Sequence, residues 1–244
     1  MLLPPRTLED GLAFRPRSHD VSRLEGFSDA VFGFAITLLV VSLEVPHTFD
    51  DLLETLKGTP AFLVSFFLLF TIWHGQYRWF RRYGLHDAPS LVLNGMLLFL
   101  VVLFVYQLKF VSTLLFAPWM GLNLSVRRPD GSLVAPIQPG QEPAMMIIFG
   151  MGYAAVFIVF ALLHVHALRR ARQLGLDELE RVDTHEHLRE NLINAASGIV
   201  SIVVAAATKS LAKSGAVYLI SAIALAASTV WSASRRRRVR RSHA

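Results

Sequence analysis

The chain has no cysteine among its 244 residues, which excludes a disulfide frame, a thiolate metal site and a cysteine nucleophile and leaves the redox compartment unmarked. Charge is scarce: Asp, Glu, Lys and Arg together make 17% of the sequence, against about 25% in soluble domains. No apolar run of signal-peptide type precedes Asp20; that segment instead holds Pro4, Pro5, Pro16 and several charges, and is expected to be a cytoplasmic tail. There is no nucleotide-binding pattern, and no paired carboxylates, nucleophile motif or metal quartet appears at membrane depth, so the expectation is of a protein that is not an enzyme and carries no cofactor. No internal repeat is evident. What fills the space left by these absences is apolar: hydrophobic residues make 53% of the chain, the composition of an integral membrane protein.

The apolar residues fall into six runs. Each has about 20 residues, enough at about 1.5 Å per residue to cross a hydrocarbon core of about 30 Å. The first span runs from the Arg23 region to Val45, and an acidic loop with Asp50, Asp51 and Glu54 follows it. The second starts near Pro60 and ends around Tyr77 in a cluster of aromatics and arginines typical of a membrane interface. The third covers Leu91 to about Phe110, with Asn94 in its first turn and Lys109 placed to snorkel at its far end. A long loop with a hairpin signal around Pro129, Asp130 and Gly131 leads to the fourth, Ala144 to Leu168. Gly150 and Gly152 in that run suit close helix packing, because a carbonyl filter needs a re-entrant loop rather than a helix-length run. Arg169 to Glu190 is a charged helical connector. Within it Asp183, His185 and His187 invite a metal reading, which the divergence of residues two apart on a helix opposes, so no metal site is assigned. Asn191 to Ala212 and Ala216 to Ser234 form the last two spans, with small-residue faces that include Ser197, Ser201 and Ala205.

Of the 24 lysines and arginines, 18 lie on the side that holds both termini and five in the loops of the other side, which places both termini in the cytoplasm. The fold class is therefore all-α: six transmembrane helices in one bundle. The basic run Arg235 to Arg241, directly after a span, fits a topology anchor or an anionic-lipid contact rather than nucleic acid.

The first span carries the most specific signal. Ser28 and Asp29 both suit a helix N-cap, but Ser22 and Glu25 make an earlier capping box, which favours a start near Arg23 with Asp29 inside the helix, and a carboxylate within a span is a functional-site hypothesis by default. Arg23, then Phe27-Ser28-Asp29, then Ala-Val-Phe-x-x-Ala-Ile-Thr-Leu-Leu-Val resembles the first-helix signature of the transmembrane protein 175 family, potassium channels of bacteria and of animal endosomes and lysosomes. From spacing alone, Phe34, Leu38 and Val41, with Thr37 beside them, make an apolar stripe that ordinary packing explains best. The resemblance implies instead that this face lines a pore: Phe34 at a constriction where the family has isoleucine or leucine, Thr37 at a threonine layer tied to potassium preference, and Leu38 and Val41 at further apolar layers.

The resemblance likewise implies a supporting polar network of Arg23, Phe27, Ser28, Asp29, Trp73, His74 and Asn94. Within it, Arg23, Asp29 and His74 are expected to cluster, because a carboxylate in low dielectric needs a donor. It implies a homotetramer, potassium ions passing transiently through the pore, and a multi-pass place in a bacterial cell membrane. The domain plan is then a cytoplasmic tail over 1–21, a six-helix channel domain over 22–234 and a basic cytoplasmic tail over 235–244. A small proton- or cation-coupled secondary transporter using Asp29 as its carrier site is the alternative.

Overall fold

A computed structural model describes residues 16–18, 21–41, 47–122, 124–127 and 131–225. Its helices are α1 (Arg23–Val41), α2 (Phe49–Lys57), α3 (Thr59–Tyr83), α4 (Ala88–Met120), α5 (Glu142–Arg169), α6 (Glu178–Thr208) and α7 (Leu211–Leu225). A two-stranded antiparallel hairpin, β1 (Val126–Arg127) with β2 (Leu133–Val134), sits in the loop before α5, as the turn residues there predict.

Local chemistry sets the ends of these helices. The Ser22 amide donates to the Glu25 carboxylate at 2.7 Å and the Glu25 amide to Ser22 Oγ at 3.2 Å, so the capping box forms and α1 starts at Arg23. Gly84, with φ 58°, caps α3 in the left-handed conformation that favours glycine, and a Cβ there would lie 3.2 Å from the Arg17 carbonyl oxygen. Asp87 caps α4 by accepting from the Ser90 amide.

Several span boundaries differ from those read from hydropathy. α4 begins at Ala88 and runs to Met120, so Asn94 lies in its second turn and Lys109 lies mid-helix rather than at its end. The charged connector and the fifth span are not separate, since α6 runs unbroken from Glu178 to Thr208 behind an Asp177–Glu180 capping box. The acidic stretch after the first span contains α2, a nine-residue helix with its own Thr48–Asp51 capping box, bent by 47° against α3 at Gly58. Hydropathy marks where a chain enters a membrane; capping and helical phase decide where a helix begins, and helices extend past the bilayer wherever both persist.

Among the described residues, α4, α5 and α6 are each long and apolar enough to span a membrane, and α2 with α3 forms a fourth, bent candidate. The final residues of the sixth predicted span and the basic run Arg235 to Arg241 lie outside the described residues.

α1 packs on α3 and α4, α4 on α5, and α5 most extensively on α6. Lipid is as apolar as leucine, so close fit rather than water exclusion holds such helices together. The α5–α6 contact shows how: a Cβ on Gly198 would lie 2.9 Å from the Ala154 Cβ, and one on Gly150 would lie 2.7 Å from Ile202. Ser197, Ser201 and Ala205 are buried on the same side of α6, the small-residue face that their four-residue spacing predicts. The main core joins Phe32, Ala35 and Leu39 of α1 to Leu69 and Trp79 of α3, Leu97 and Val101 of α4, and Val159 and Leu163 of α5.

Candidate functional site: a first helix pinned on one face and open on the other

Helical phase divides α1 into two faces. Ser28, Phe32, Ala35 and Leu39 are buried against α3 and α4. On the opposite side Arg23, Phe27, Ala30, Phe34 and Thr37 are uncovered, Phe27 at 62% and Phe34 at 57% exposure. Leu38 sits at the border, partly buried against the core. Val41 ends the helix, and its side chain lies outside the described residues. The Thr37 hydroxyl, on the exposed side, donates to the Gly33 carbonyl at 2.9 Å.

The buried face is held by a chain of hydrogen bonds through three helices. Gln76 Nε2 of α3 donates to Asn94 Oδ1 of α4 at 3.1 Å, Asn94 Nδ2 donates to Ser28 Oγ at 2.9 Å, and the Ser28 hydroxyl donates to the Leu24 carbonyl at 2.8 Å. All three side chains are at most 1% exposed. Each donor in the chain meets an acceptor, the condition under which buried polar groups specify a geometry instead of destabilising it. Beside this chain, the Trp73 indole Nε1 donates to Asp29 Oδ1 at 2.8 Å and fixes a second point between α1 and α3.

Ser28, Asn94, Asp29 and Trp73 are thus brought together, but the expected cluster of Arg23, Asp29 and His74 is not. Asp29 takes its bond from Trp73, and among the described residues no ion pair joins it to Arg23 or His74. His74 is exposed one helical step away from Trp73, between the rings of Phe70 and Tyr77. A residue adjacent in sequence sits about 100° round the helix, so Trp73 and His74 cannot face the same partner; Gln76, three residues on from Trp73, can. That spacing is the signal from which Gln76 was readable.

A second polar layer lies at the end of the bundle where α3 and α5 finish and α4 and α6 begin. Arg82 pairs with Asp183 at 2.7 Å, Arg78 contacts His187 at 2.9 Å, His187 contacts Glu190 at 2.9 Å, and Tyr83 OH meets Thr184 Oγ1 at 2.9 Å. His185 is exposed while His187 turns inward, the divergence expected of residues two apart. His166 Nε2 and Arg170 reach Asp87 at 2.9 and 3.2 Å. Partial burial would raise the Asp87 pKa, but hydrogen bonds from the Ser90 hydroxyl and amide and from His166 outweigh it and hold the carboxyl below its ordinary value. Arg17, ahead of α1, reaches Glu180 at 2.6 Å.

These features define a polytopic α-helical membrane protein whose first helix is fixed from behind by buried amide and hydroxyl groups and presents an apolar, threonine-bearing face that is exposed among the described residues. The chain belongs to the TMEM175 family, described as the endosomal/lysosomal potassium channel TMEM175, whose pattern matches residues 23–104. A protein of Marivirga tractuosa named as a potassium channel is 33% identical over 191 residues, 78% of this chain and 77% of that protein. A second potassium channel, from Chamaesiphon minutus, is 29% identical over 179 residues, 70% of this chain and 75% of its own length. Among solved structures, the potassium channel MtTMEM175, as a variant bound to a nanobody–MBP fusion protein, superposes with a TM-score of 0.75 at 28% identity, covering 91% of this chain and 97% of that one. A lysosomal potassium-selective channel TMEM175 homolog from Chamaesiphon minutus shares the fold with a TM-score of 0.57 at 24% identity, over 84% and 95% of the two chains.

Proposed function

We propose that the protein is a potassium-preferring cation channel of the bacterial cell membrane, in which the open face of α1 lines the pore. Six spans with both termini in the cytoplasm assemble as a homotetramer, four copies of α1 surround the axis, and Phe34 forms the constriction, with Thr37, Leu38 and Val41 lining the layers beyond it. The observation that carries this reading is the division of α1 into a pinned face and an open face. Ser28, Asn94 and Gln76 hold one side at depth, while Phe34 and Thr37 stay exposed among the described residues. Other helices also expose apolar side chains, Phe67 of α3 at 59% and Phe99 of α4 at 68%; what sets α1 apart is the buried polar chain directly behind its open face.

Regular helix satisfies its own backbone, so an ion passing along α1 meets side chains and not carbonyls. Phenyl rings at one level resist wetting, and the Thr37 oxygen is the first polar group beyond them. Selectivity then comes from hydration and from the threonine layer rather than from a carbonyl filter. Arg23, Phe27 and His74, uncovered at the same end of the helices as the buried network, complete the surroundings of the inner mouth, and Arg235 to Arg241 anchors the tail at anionic lipid. The family resemblance and the potassium channels among the relatives support the cargo.

Cysteine substitution tests the assignment in a chain that has none of its own. Cysteines at Phe34 and Thr37 should react with small charged thiol reagents and block flux, whereas a cysteine at Leu39, 1% exposed on the pinned face, should not react. Equal reactivity at all three positions, or modification without effect on flux, counts against a pore on this face.

A further inference from the structure

Arg17 belongs to no helix, yet its side chain is 8% exposed and all three guanidinium nitrogens are engaged. Nε donates to the Leu174 carbonyl at 2.9 Å. Nη1 donates to the Arg82 carbonyl and to Glu180 Oε1, each at 3.3 Å, and Nη2 to Glu180 Oε2 at 2.6 Å and to the Gly175 carbonyl at 3.5 Å. The Arg17 amide donates to the Arg81 carbonyl at 2.9 Å. Glu180 is 1% exposed at its side chain and caps the start of α6 by accepting from the Asp177 amide. Arg17 is therefore wedged between the end of α3 and the turn that leads into α6.

A buried ion pair is poor evidence for stability, because desolvation offsets much of its attraction. What a bidentate guanidinium–carboxylate pair adds is a fixed geometry. Here that geometry ties Arg17, ahead of α1, to the first turn of α6, whereas α1 itself packs on α3 and α4 and α6 packs on α5. Arg17 lies five residues before Ser22, whose capping box sets the start of α1, and a linkage of that length spans at most about 17 Å.

We propose that Arg17 is a positioning residue: its clasp on Glu180 couples the α5–α6 turn to the start of α1 and so biases opening of the constriction. This rests on the channel reading above. The clasp acts on how often the pore is open, not on what passes, because neither residue touches the open face of α1.

Two measurements test it. In the first, Arg17→Lys keeps the charge and loses the fork, and Glu180→Gln keeps an acceptor for the cap and loses the charge. Each should change open probability by about fivefold or more, the lower end of ordinary coupling between sites, with reversal potential unchanged. The pair Arg17→Cys with Glu180→Cys, joined by a cleavable bifunctional thiol reagent, should return to the wild-type open probability and lose it on cleavage. In the second, spin labels at Gly26→Cys and His185→Cys, in protein diluted with unlabelled copies, report the separation of α1 from α6 without any current. The clasp variants should broaden or shift that distance. Wild-type protein that carries no current refutes the channel reading and leaves the distance measurement to judge the clasp. An unchanged distance, or an unchanged open probability with no response to cross-linking and cleavage, overturns the proposal even if thermal stability falls.

Discussion

Replacing Asn94 with leucine removes the middle of the buried chain that pins α1. Leucine has nearly the same length, so the cavity left is small and the main effect is on hydrogen bonds. Gln76 Nε2 loses its acceptor at 3.1 Å and Ser28 Oγ loses its donor at 2.9 Å, both at positions 1% exposed or less. A buried donor left without a partner costs about 1–3 kcal/mol, while Ser28 keeps its own bond to the Leu24 carbonyl and adds little. Gln76→Leu alone should cost less than Asn94→Leu, because it leaves an acceptor and not a donor unpaired in a site that Ser28 still occupies. The double replacement should cost less than the sum of the singles, with a coupling of about 1 kcal/mol, since no orphan donor then remains. Equilibrium unfolding of the purified protein in a detergent–denaturant series, run as a double-mutant cycle, reads these values. Additive changes, or single replacements that each cost under about 0.5 kcal/mol, would refute the claim that this chain fixes the first helix.

Phe34→Ala should raise potassium flux into reconstituted vesicles by well over tenfold, and Phe34→Ser should raise it further, because the barrier comes from an unwetted ring and not from packing within the protomer; unchanged flux removes Phe34 from the path. Thr37→Ala should alter the ratio of potassium to sodium flux more than it alters total flux, measured in the same vesicles under paired gradients. The Asp87 carboxyl has a folded pKa below its unfolded value, so it contributes stability above about pH 4 that is lost as pH falls through the lower folded value. Thermal melting across pH 3 to 6 should therefore show a steeper acid limb for the wild type than for Asp87→Asn, and parallel limbs would contradict that assignment.

Much of the site was legible because it lies within one helix and its nearest neighbours. The Ser22–Glu25 capping box placed the start of α1, and the position of Asp29 inside a span marked it as a group in need of a donor. That the donor is Trp73 and not Arg23 or His74 is a matter of helical phase, which the stretch of aromatics and arginines after Phe70 obscures: nearly every position there suits an interface. Gln76 lies in the same stretch, where only its three-residue spacing from Trp73 singles it out. The Thr48–Asp51 capping box of α2 stood in the sequence, but three carboxylates in a short stretch look like a loop until the helical spacing of Phe49, Leu52, Leu53 and Leu56 is laid beside them. The contacts of Arg17 with Glu180 and of Arg82 with Asp183 join residues more than 100 positions apart, and no local pattern encodes which of the many arginines meets which carboxylate. The continuity of α6 was missed because its charged first half and apolar second half resemble two elements, although one helical phase runs through both.

As a potassium-preferring channel, the protein should pass potassium ions in preference to sodium. Planar-bilayer recording of the purified protein under opposed potassium and sodium gradients tests it most directly. Unitary current steps with a reversal potential displaced toward the potassium equilibrium value are expected. A smooth, saturable flux coupled to protons, or a reversal potential indifferent to exchange of potassium for sodium, would contradict this expectation.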